Sequence, residues 1–179
     1  MYRGEVECHR GGNQAEAVSR HEVTLIFGSN RGNRCALIER AMALMEVLGE
    51  VKCASSFYET EPWGFQAARL FYNRVVTYFT DFAPEEVLRW CLETEQVLGR
   101  KRTGVRYASR TIDIDILFYD SLVLSLPDLV IPHPRMALRN FVLIPLNEIM
   151  PDFIHPVSGK KIAELLAESP DDSVVHGVS

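Results

Sequence analysis

The segment TIDIDILFY, residues 111–119, alternates isoleucine and aspartate before an apolar end. Successive side chains of a β-strand point to opposite faces of a sheet, so this alternation predicts a strand that is buried on one face only. The isoleucines would enter a core covered by helices, whereas Asp113 and Asp115 would share the other face. The chain must therefore build a sheet that holds two carboxylates side by side.

Asp113 and Asp115 are candidate metal ligands because two adjacent carboxylates repel each other unless a cation is present. Mg²⁺ prefers oxygen ligands and usually binds through one or two carboxylates together with substrate phosphates. An isolated Asp-x-Asp pair more often lies on a solvated face of a strand than in a metal site. The neighbouring residues are therefore needed to distinguish these two interpretations.

A cluster of cations comes directly before this strand, in a chain whose net charge is −5. Its members are Arg100, Lys101, Arg102, Arg106 and Arg110. Guanidinium groups bind phosphate oxygens in pairs, and several of them neutralise a polyphosphate. A basic loop alone is usually a solvated turn, but beside two aspartates it predicts that carboxylates hold metal, metal holds phosphate and arginines hold the remaining charge. Phosphoryl transfer is therefore the reaction class that these residues favour.

Other phosphate-binding and metal-binding motifs are absent from the sequence. It has no GxxxxGK[ST] loop and no GxGxxG segment that opens a helix, and its cysteines and histidines lack the spacing of zinc ligands. The acidic balance excludes a general binder of nucleic acid or anionic membrane, whose surface would be broadly basic. Scattered cysteines, a charged N-terminus and apolar runs too short for a bilayer predict a reduced, cytoplasmic protein.

The chain is long enough for one domain with a sizeable core. Residues 1–20 are polar and lack periodicity, so we expect a flexible extension there and a single domain over residues 21–179. Periodicity and turn residues predict a strand at 22–27 that stops at Gly28, a helix at 33–48, strands at 51–60 and 71–80, a helix from Pro84 capped by Asp81, a strand at 111–119 and a short helix at 161–168. This order is typical of an α+β, ferredoxin-like βαββαβ fold, an antiparallel sheet with helices on one face, here with C-terminal additions.

A second candidate site lies on the strand at 71–80, where Phe71 and Asn73 share a face. A phenyl ring and an amide on one surface can stack on a planar heterocycle and bind its edge. A core phenylalanine beside a solvated asparagine is the alternative. Trp63, in a loop with proline and glycine, is either a lid or a plug, and His133 is either a phosphate donor or a structural imidazole.

Eight segments occur in the order found in one enzyme family, over about residues 22–168. They are FGSN, SSFYETEPWG, FYNRVV, LGRKR, SRTIDIDIL, IPHPRM, RNFVLIPLNEI and HPVSGKKIAELL. In these segments the chain resembles the 6-hydroxymethyl-7,8-dihydropterin pyrophosphokinases of folate biosynthesis. The resemblance implies a ferredoxin-like fold and the transfer of diphosphate from MgATP to the hydroxymethyl oxygen of the pterin, with release of AMP. We expect ATP and the pterin as partners, neither nucleic acid nor membrane, and a monomer.

The resemblance also implies roles in catalysis and ATP binding. Asp113 and Asp115 match the carboxylates that bind two Mg²⁺ ions, and Arg100 and Arg110 match the arginines that act in the transfer step. Either no protein base is needed or Asp115 accepts the hydroxyl proton, and both alternatives stay open. The positions assigned to the ATP site are Glu95, Arg102, Arg106, Tyr107, Ile116, His133 and Arg139.

For the pterin, the resemblance implies an aromatic sandwich. Phe71 and Phe141 match the two rings that stack on it, and Asn73 matches the side chain that binds its edge. The rest of the contact is assigned to the backbone of Thr60, Glu61 and Trp63.

The chain departs from the family at Tyr107-Ala108-Ser109, where the family commonly has Trp-Gly-Pro. Tyr107 can still stack but offers less area, and the loss of glycine and proline changes the backbone preferences of the loop. This departure bears on loop closure and turnover rate rather than on the reaction. Two alternatives are a ferredoxin-like module that binds RNA through the basic loop and aromatic side chains, and a homologue that binds the pterin without turnover.

Overall fold

The computed structural model describes residues 20–61, 69–100 and 111–178. Apart from Arg20, the predicted extension lies outside these residues. The elements in chain order are β1 (His21–Ser29), α1 (Arg34–Met45), β2 (Val51–Ala54), β3 (Phe57–Thr60), β4 (Phe71–Thr80), α2 (Pro84–Val97), β5 (Asp113–Tyr119), β6 (Leu124–Ser125), β7 (Val130–Ile131), α3 (Asn140–Ile149), α4 (Ile162–Ala167) and β8 (Val175–Val178). None of the helices in the described part has the length and apolar character needed to cross a bilayer.

The described strands form one main sheet in the order β5-β1-β4-β3-β8, with β2 also pairing with β4. Every pairing in this sheet is antiparallel. Strands β6 and β7 form a separate hairpin. The prediction of an α+β fold built on an antiparallel sheet is confirmed.

Helices cover both faces of this sheet. α1 and α2 pack on one face, and Ile114 and Ile116 of β5 belong to the apolar cluster beneath them, as the alternation predicts. α3 and α4 pack on the opposite face, against Ile26, Val75 and Leu117. The prediction of helices on one face therefore holds for α1 and α2 only, and the C-terminal additions supply a second helical layer.

α3 is an addition to the predicted elements. Pro145 lies in its interior, where proline lacks the N–H that a helix requires and costs about 3 kcal/mol. Val142, Leu143 and Leu146 of the same helix are buried against the sheet. Full burial of such side chains stabilises by about 1.5–3 kcal/mol each, so packing outweighs the proline.

Two strand boundaries differ from the prediction. The strand predicted at 51–60 is interrupted at Ser55, whose hydroxyl accepts a hydrogen bond from Val75 N (3.0 Å) in place of a regular ladder partner. β1 does not stop at Gly28 but continues through Ser29. Glycine indicated a turn there, but in the structure Gly28, which has no side chain, lies within the strand.

The helix starts follow the predictions in part. Asn33 caps α1, as its side chain accepts a hydrogen bond from Ala36 N (3.2 Å). α2 begins at Pro84 as predicted, but Asp81 does not cap it. The N-cap is Ala83, whose N–H donates to the carboxylate of Glu86 (3.0 Å), so the cap comes from inside the helix.

Candidate active site

The residues predicted to bind metal and pterin meet around Gly28 of β1. Gly28 lies opposite Asn73 of β4 and opposite Asp113 of β5 in the sheet register. Directly paired residues project from the same face of a sheet. A Cβ atom at Gly28 would lie 3.1 Å from Asn73 Oδ1 and 4.0 Å from both Phe71 Cδ1 and Asp113 Cβ. The missing side chain leaves a space bordered by an amide, a ring and a carboxylate.

Asp113 and Asp115 share one face of β5, opposite Gly28 and Ile26 respectively, as the alternation predicts. Both residues are half-buried. In the described residues, no three side chains of the His, Cys, Asp and Glu types surround a common ion position. The oxygen donors suit Mg²⁺, and an ion held by this pair would complete its coordination with substrate oxygens.

Arg100 lies between Asp113 and Glu95. Its guanidinium donates a hydrogen bond to Asp113 Oδ1 (2.5 Å) and also contacts the carboxylate of Glu95. Gly99 follows α2 with a φ of +86°, a left-handed conformation that turns Arg100 back toward the helix, where Arg100 N donates to Glu95 O (2.9 Å). The end of α2 therefore holds a guanidinium against the strand that carries the aspartates.

Glu95 is a buried carboxylate at the edge of the sheet. Because β5 forms that edge, Ile114 N donates to Glu95 Oε1 (2.9 Å) rather than to another strand. Burial raises the pKa of Glu95 to about 7. Arg100 and the Ile114 amide oppose this rise, whereas the charges of Asp113 and Asp115 add to it. Glu95 and Asp113 therefore share one guanidinium, and Asp115 is a third carboxylate close enough to influence Glu95.

His133 lies beside β5, where its backbone N–H donates to Leu117 O (3.0 Å). Its Nδ1 accepts a hydrogen bond from Arg135 N (3.3 Å), so the neutral ring carries its proton on Nε2. Burial, reinforced by the Arg139 and Arg135 cations, lowers the pKa of His133 to about 4. A neutral imidazole with an Nε2–H donor is compatible with both predicted roles, phosphate donor and structural group.

We predict that His133 makes stability depend on pH below neutrality. Its pKa is about 4 in the fold and ordinarily 6.5, so the unfolded chain binds the proton first. This contribution is complete above pH 6.5 and is lost as the pH falls toward 4, a loss of roughly 2–3 kcal/mol. Urea unfolding at pH 7.5 and pH 4.5 tests this. His133→Asn should lose less stability than the wild type, and equal losses would contradict the prediction.

Arg139 and Phe141 lie at the start of α3. Arg139 is buried, and its guanidinium carbon is 5.5 Å from the centre of the Phe141 ring. α3 packs on the sheet face that Val75 shares with Asn73, two residues before it. Phe141 therefore lies on the same side of the sheet as Asn73 and Phe71.

The amide of Asn73 has a fixed orientation. Its Nδ2 donates to Thr60 Oγ1 (2.8 Å), and both residues are buried. Thr60 lies opposite Phe71 in the pairing of β3 with β4, and Glu61 follows it as the last described residue of this segment. With Nδ2 bound to Thr60, Asn73 turns its Oδ1 toward Gly28.

Some predicted site residues are not brought together in the described structure. The side chain of Ile116 belongs to the core beneath α1 and α2, so it points away from the aspartates. Five predicted residues lie outside the described residues, namely Trp63, Arg102, Arg106, Tyr107 and Arg110.

Arg34 is a candidate positioning residue that no sequence motif indicates. Its Nη1 donates to Glu59 Oε1 and to Leu70 O, both at 2.8 Å, and its guanidinium carbon is 3.7 Å from the centre of the Tyr72 ring. It therefore joins the chain on the two sides of residues 62–68. These contacts span 25 and 36 positions, which no local pattern signals.

Comparison with known proteins identifies the family. A family model described as 7,8-dihydro-6-hydroxymethylpterin-pyrophosphokinase matches residues 24–151. A 2-amino-4-hydroxy-6-hydroxymethyldihydropteridine pyrophosphokinase of Porphyromonas gingivalis is 39% identical over 138 residues, which cover 75% of this chain and 93% of the relative. A folic acid synthesis protein of Dictyostelium discoideum is 35% identical over 156 residues, which cover 87% of this chain but only 24% of that protein.

A solved structure supports the fold. The crystal structure of wild-type Plasmodium falciparum HPPK-DHPS matches with a TM-score of 0.68 at 19% identity, over 86% of this chain and 42% of that chain. The present chain therefore spans less than half of that longer protein. The match over residues 24–151 and the identity with the Porphyromonas gingivalis enzyme determine the family of this chain. It belongs to the 7,8-dihydro-6-hydroxymethylpterin-pyrophosphokinase family.

Proposed function

We propose that this protein transfers diphosphate from MgATP to the hydroxymethyl oxygen of 6-hydroxymethyl-7,8-dihydropterin, as an enzyme of folate biosynthesis. The observation that carries the proposal is the convergence of Asp113, Asn73 and Phe71 around Gly28. A carboxylate suited to magnesium there borders an amide and a ring suited to a heterocycle. Membership of the family supplies the two substrates.

In this proposal, the pterin ring stacks between Phe71 and Phe141, with its polar edge against Asn73. The hydrogen bond from Asn73 to Thr60 fixes which atoms of the amide face the ring. Heterocycles with a different pattern of donors and acceptors are rejected because they would leave buried polar groups unpaired. The backbone of Glu61 and Trp63 would complete the contact.

Asp113 and Asp115 would hold two Mg²⁺ ions together with the phosphates of ATP. The ions would supply positive charge at the phosphates during transfer. Arg100 already contacts Asp113, so its guanidinium lies where phosphate charge would develop. His133 would donate from Nε2 to a phosphate oxygen, and Arg139 would add a cation beside it. The remaining proposed ATP residues are Glu95, Arg102, Arg106, Tyr107 and Ile116, the last through its backbone.

In the proposed reaction, the hydroxymethyl oxygen attacks the β-phosphorus of ATP. The bond from that phosphorus to the oxygen of the α-phosphate breaks, and AMP leaves. Negative charge increases on the leaving oxygen and on the β-phosphoryl oxygens, and Arg100 and Arg110 stabilise it without a protein nucleophile. The hydroxyl proton passes either to solvent or to Asp115.

The order β5-β1-β4-β3, joined through α1 and α2, supports a ferredoxin-like topology for the first part of the fold.

We also propose a cytoplasmic monomer. The use of ATP supports this location, as do the unpaired thiols of the described cysteines, Cys35, Cys53 and Cys91. Neither nucleic acid nor membrane is a proposed partner, and the relatives do not favour the RNA-binding alternative.

We predict that Gly28→Val weakens pterin binding tenfold or more, by roughly 1.4 kcal/mol or above. The added side chain would enter the space between Asn73, Phe71 and Asp113. Valine suits a strand, so the variant should fold. Titration with 6-hydroxymethyl-7,8-dihydropterin in the presence of an ATP analogue with a methylene bridge between its α- and β-phosphates measures the effect.

Gly177→Val is the matched control for this variant. Gly177 lies in β8, and no atom lies within 4 Å of its added Cβ. This control should bind the pterin like the wild type. Unchanged binding by Gly28→Val, or an equal loss in both variants, would contradict the proposed position of the pterin.

The proposed function is tested by identifying the nucleotide product. Incubation with ATP, Mg²⁺ and 6-hydroxymethyl-7,8-dihydropterin should give AMP and the pterin diphosphate in equal amounts. Chelation of Mg²⁺ should stop the reaction. Formation of ADP, or the absence of AMP with saturating substrates, would rule out diphosphate transfer.

A further inference from the structure

The N-terminus of α3 is capped from a distant part of the chain. Arg139, its N-cap residue, makes no capping hydrogen bond with its own side chain. Asp171 supplies the acceptor instead: its Oδ2 accepts a hydrogen bond from Asn140 N (2.7 Å), and Asn140 Nδ2 donates to Asp171 O (2.6 Å). A carboxylate at this end of a helix is favourable because the helix dipole is positive there.

Asp171 is itself held in place by its neighbours. Its Oδ1 accepts a hydrogen bond from Ser173 N (3.0 Å), and its own N–H donates to Ser169 Oγ (3.3 Å). Burial opposes ionisation, but the hydrogen bonds from Asn140 and Ser173 and the Arg139 cation lower the pKa of Asp171 below its usual value. The cap is therefore an ordered, ionised carboxylate.

The same C-terminal segment also supports the opposite side of the proposed pterin site. β8 begins four residues after Asp171 and pairs with β3, where Val175 lies opposite Thr60. Thr60 accepts the hydrogen bond that orients Asn73. The segment 171–178 thus contacts both the start of α3 and the end of β3, and it lies beyond residue 151, where the family match ends.

We propose that Asp171 is a positioning residue for the substrate site. By capping α3 through Asn140, it fixes Arg139 and Phe141 relative to β3, and so controls the affinity for the pterin. This inference rests on the proposed function, because that function assigns Arg139 and Phe141 to substrates.

The test compares Asp171→Ala with two matched variants. Asp171→Asn keeps an acceptor oxygen but removes the charge, and Asp172→Ala removes the adjacent, exposed carboxylate. Binding of 6-hydroxymethyl-7,8-dihydropterin is measured with the methylene-bridged ATP analogue, well below the melting temperature of each variant. We expect Asp171→Ala to weaken binding about five- to tenfold, Asp171→Asn to weaken it about twofold, and Asp172→Ala to leave it unchanged. Steady-state kinetics should show a raised KM with a nearly unchanged kcat.

A purely structural role predicts a different result. In that case Asp171→Ala would lower the melting temperature but bind the pterin normally, and this outcome would overturn the proposal. An equal loss of affinity in Asp172→Ala would also overturn it, because the affinity would then depend on the net negative charge of this segment rather than on the cap. If Asp171→Ala fails to fold, Asp171→Asn decides by the same measurement. Normal AMP production by the wild type with unchanged binding in the Asp171 variants would sink this inference alone, whereas absent AMP production would sink the proposed function.

Discussion

Asp113→Ala is expected to reduce the rate of diphosphate transfer by about a hundredfold to a thousandfold, while the variant still folds. The carboxylate lies between Gly28 and Arg100, and in the proposed function it holds Mg²⁺ against the phosphates. The loss of one group that stabilises charge in a transition state commonly has an effect of about this size. The change also removes one of two adjacent carboxylates, so it relieves repulsion in the free protein. The rate of AMP formation and the urea unfolding midpoint are the two measurements.

Asp128→Ala is the control for this variant, because Asp128 is exposed and lies in the turn between β6 and β7. It should retain the wild-type rate and stability. A normal rate in Asp113→Ala would remove Asp113 from the site. A large drop in its unfolding midpoint would instead indicate that the carboxylate acts in the structure through its hydrogen bond with Arg100.

Arg100→Met is expected to lose both transfer and stability. Its guanidinium contacts the carboxylates of Glu95 and Asp113, and the Glu95 side chain is only 3% exposed. Removing one partner of a buried ion pair leaves an uncompensated charge, and we expect the free energy of unfolding to fall by roughly 2–4 kcal/mol. Transfer should fall at least a hundredfold, because the lost cation lies beside the proposed phosphate site.

The stability loss in Arg100→Met should increase with pH. The pKa of Glu95 is about 7 with Arg100 present, above its ordinary value of 4.5, and it rises further without this cation. The folded state then holds a proton on Glu95 that the unfolded chain has released. The stability contributed by this proton is complete below pH 4.5 and is lost as the pH rises through the pKa of the folded state, which is about 7 in the wild type. Urea unfolding at pH 5 and pH 8 should show the larger difference from wild type at pH 8.

The double variant Arg100→Met with Glu95→Gln separates stability from catalysis. A neutral amide at position 95 removes the buried charge and should restore most of the lost stability. Transfer should stay low because the cation is still missing. Recovery of activity together with stability would show that Arg100 acts only in the fold.

The part of the site that lies on one strand could be predicted from the sequence. Alternation in residues 111–119 gave the shared face of Asp113 and Asp115, and alternation in β4 put Phe71 and Asn73 together. Both predictions need only the two-residue period of a strand. The correct boundaries of β4 follow from the same local rule.

The parts that depend on distant contacts could not be predicted in this way. Gly28 indicated a turn, and its place between β4 and β5 appears only once the sheet register is known. Pro145 indicated a break in a helix that burial maintains. Asp171 and Arg34 act across 31 and 36 positions respectively, and their sequence neighbourhoods give no sign of the partner. The positions and partners of such residues are determined by tertiary packing, so a local sequence pattern does not reveal them.

The most direct test of the central claim follows the β-phosphorus of ATP. The reaction is run with ATP labelled at that phosphorus, with Mg²⁺ and 6-hydroxymethyl-7,8-dihydropterin, and the label is located after separation of the products. We predict that the label leaves with the pterin as a diphosphate and that the AMP is unlabelled. Label retained in ADP, which would mean that only the γ-phosphoryl group moves, or label retained wholly in ATP, would contradict diphosphate transfer by this protein.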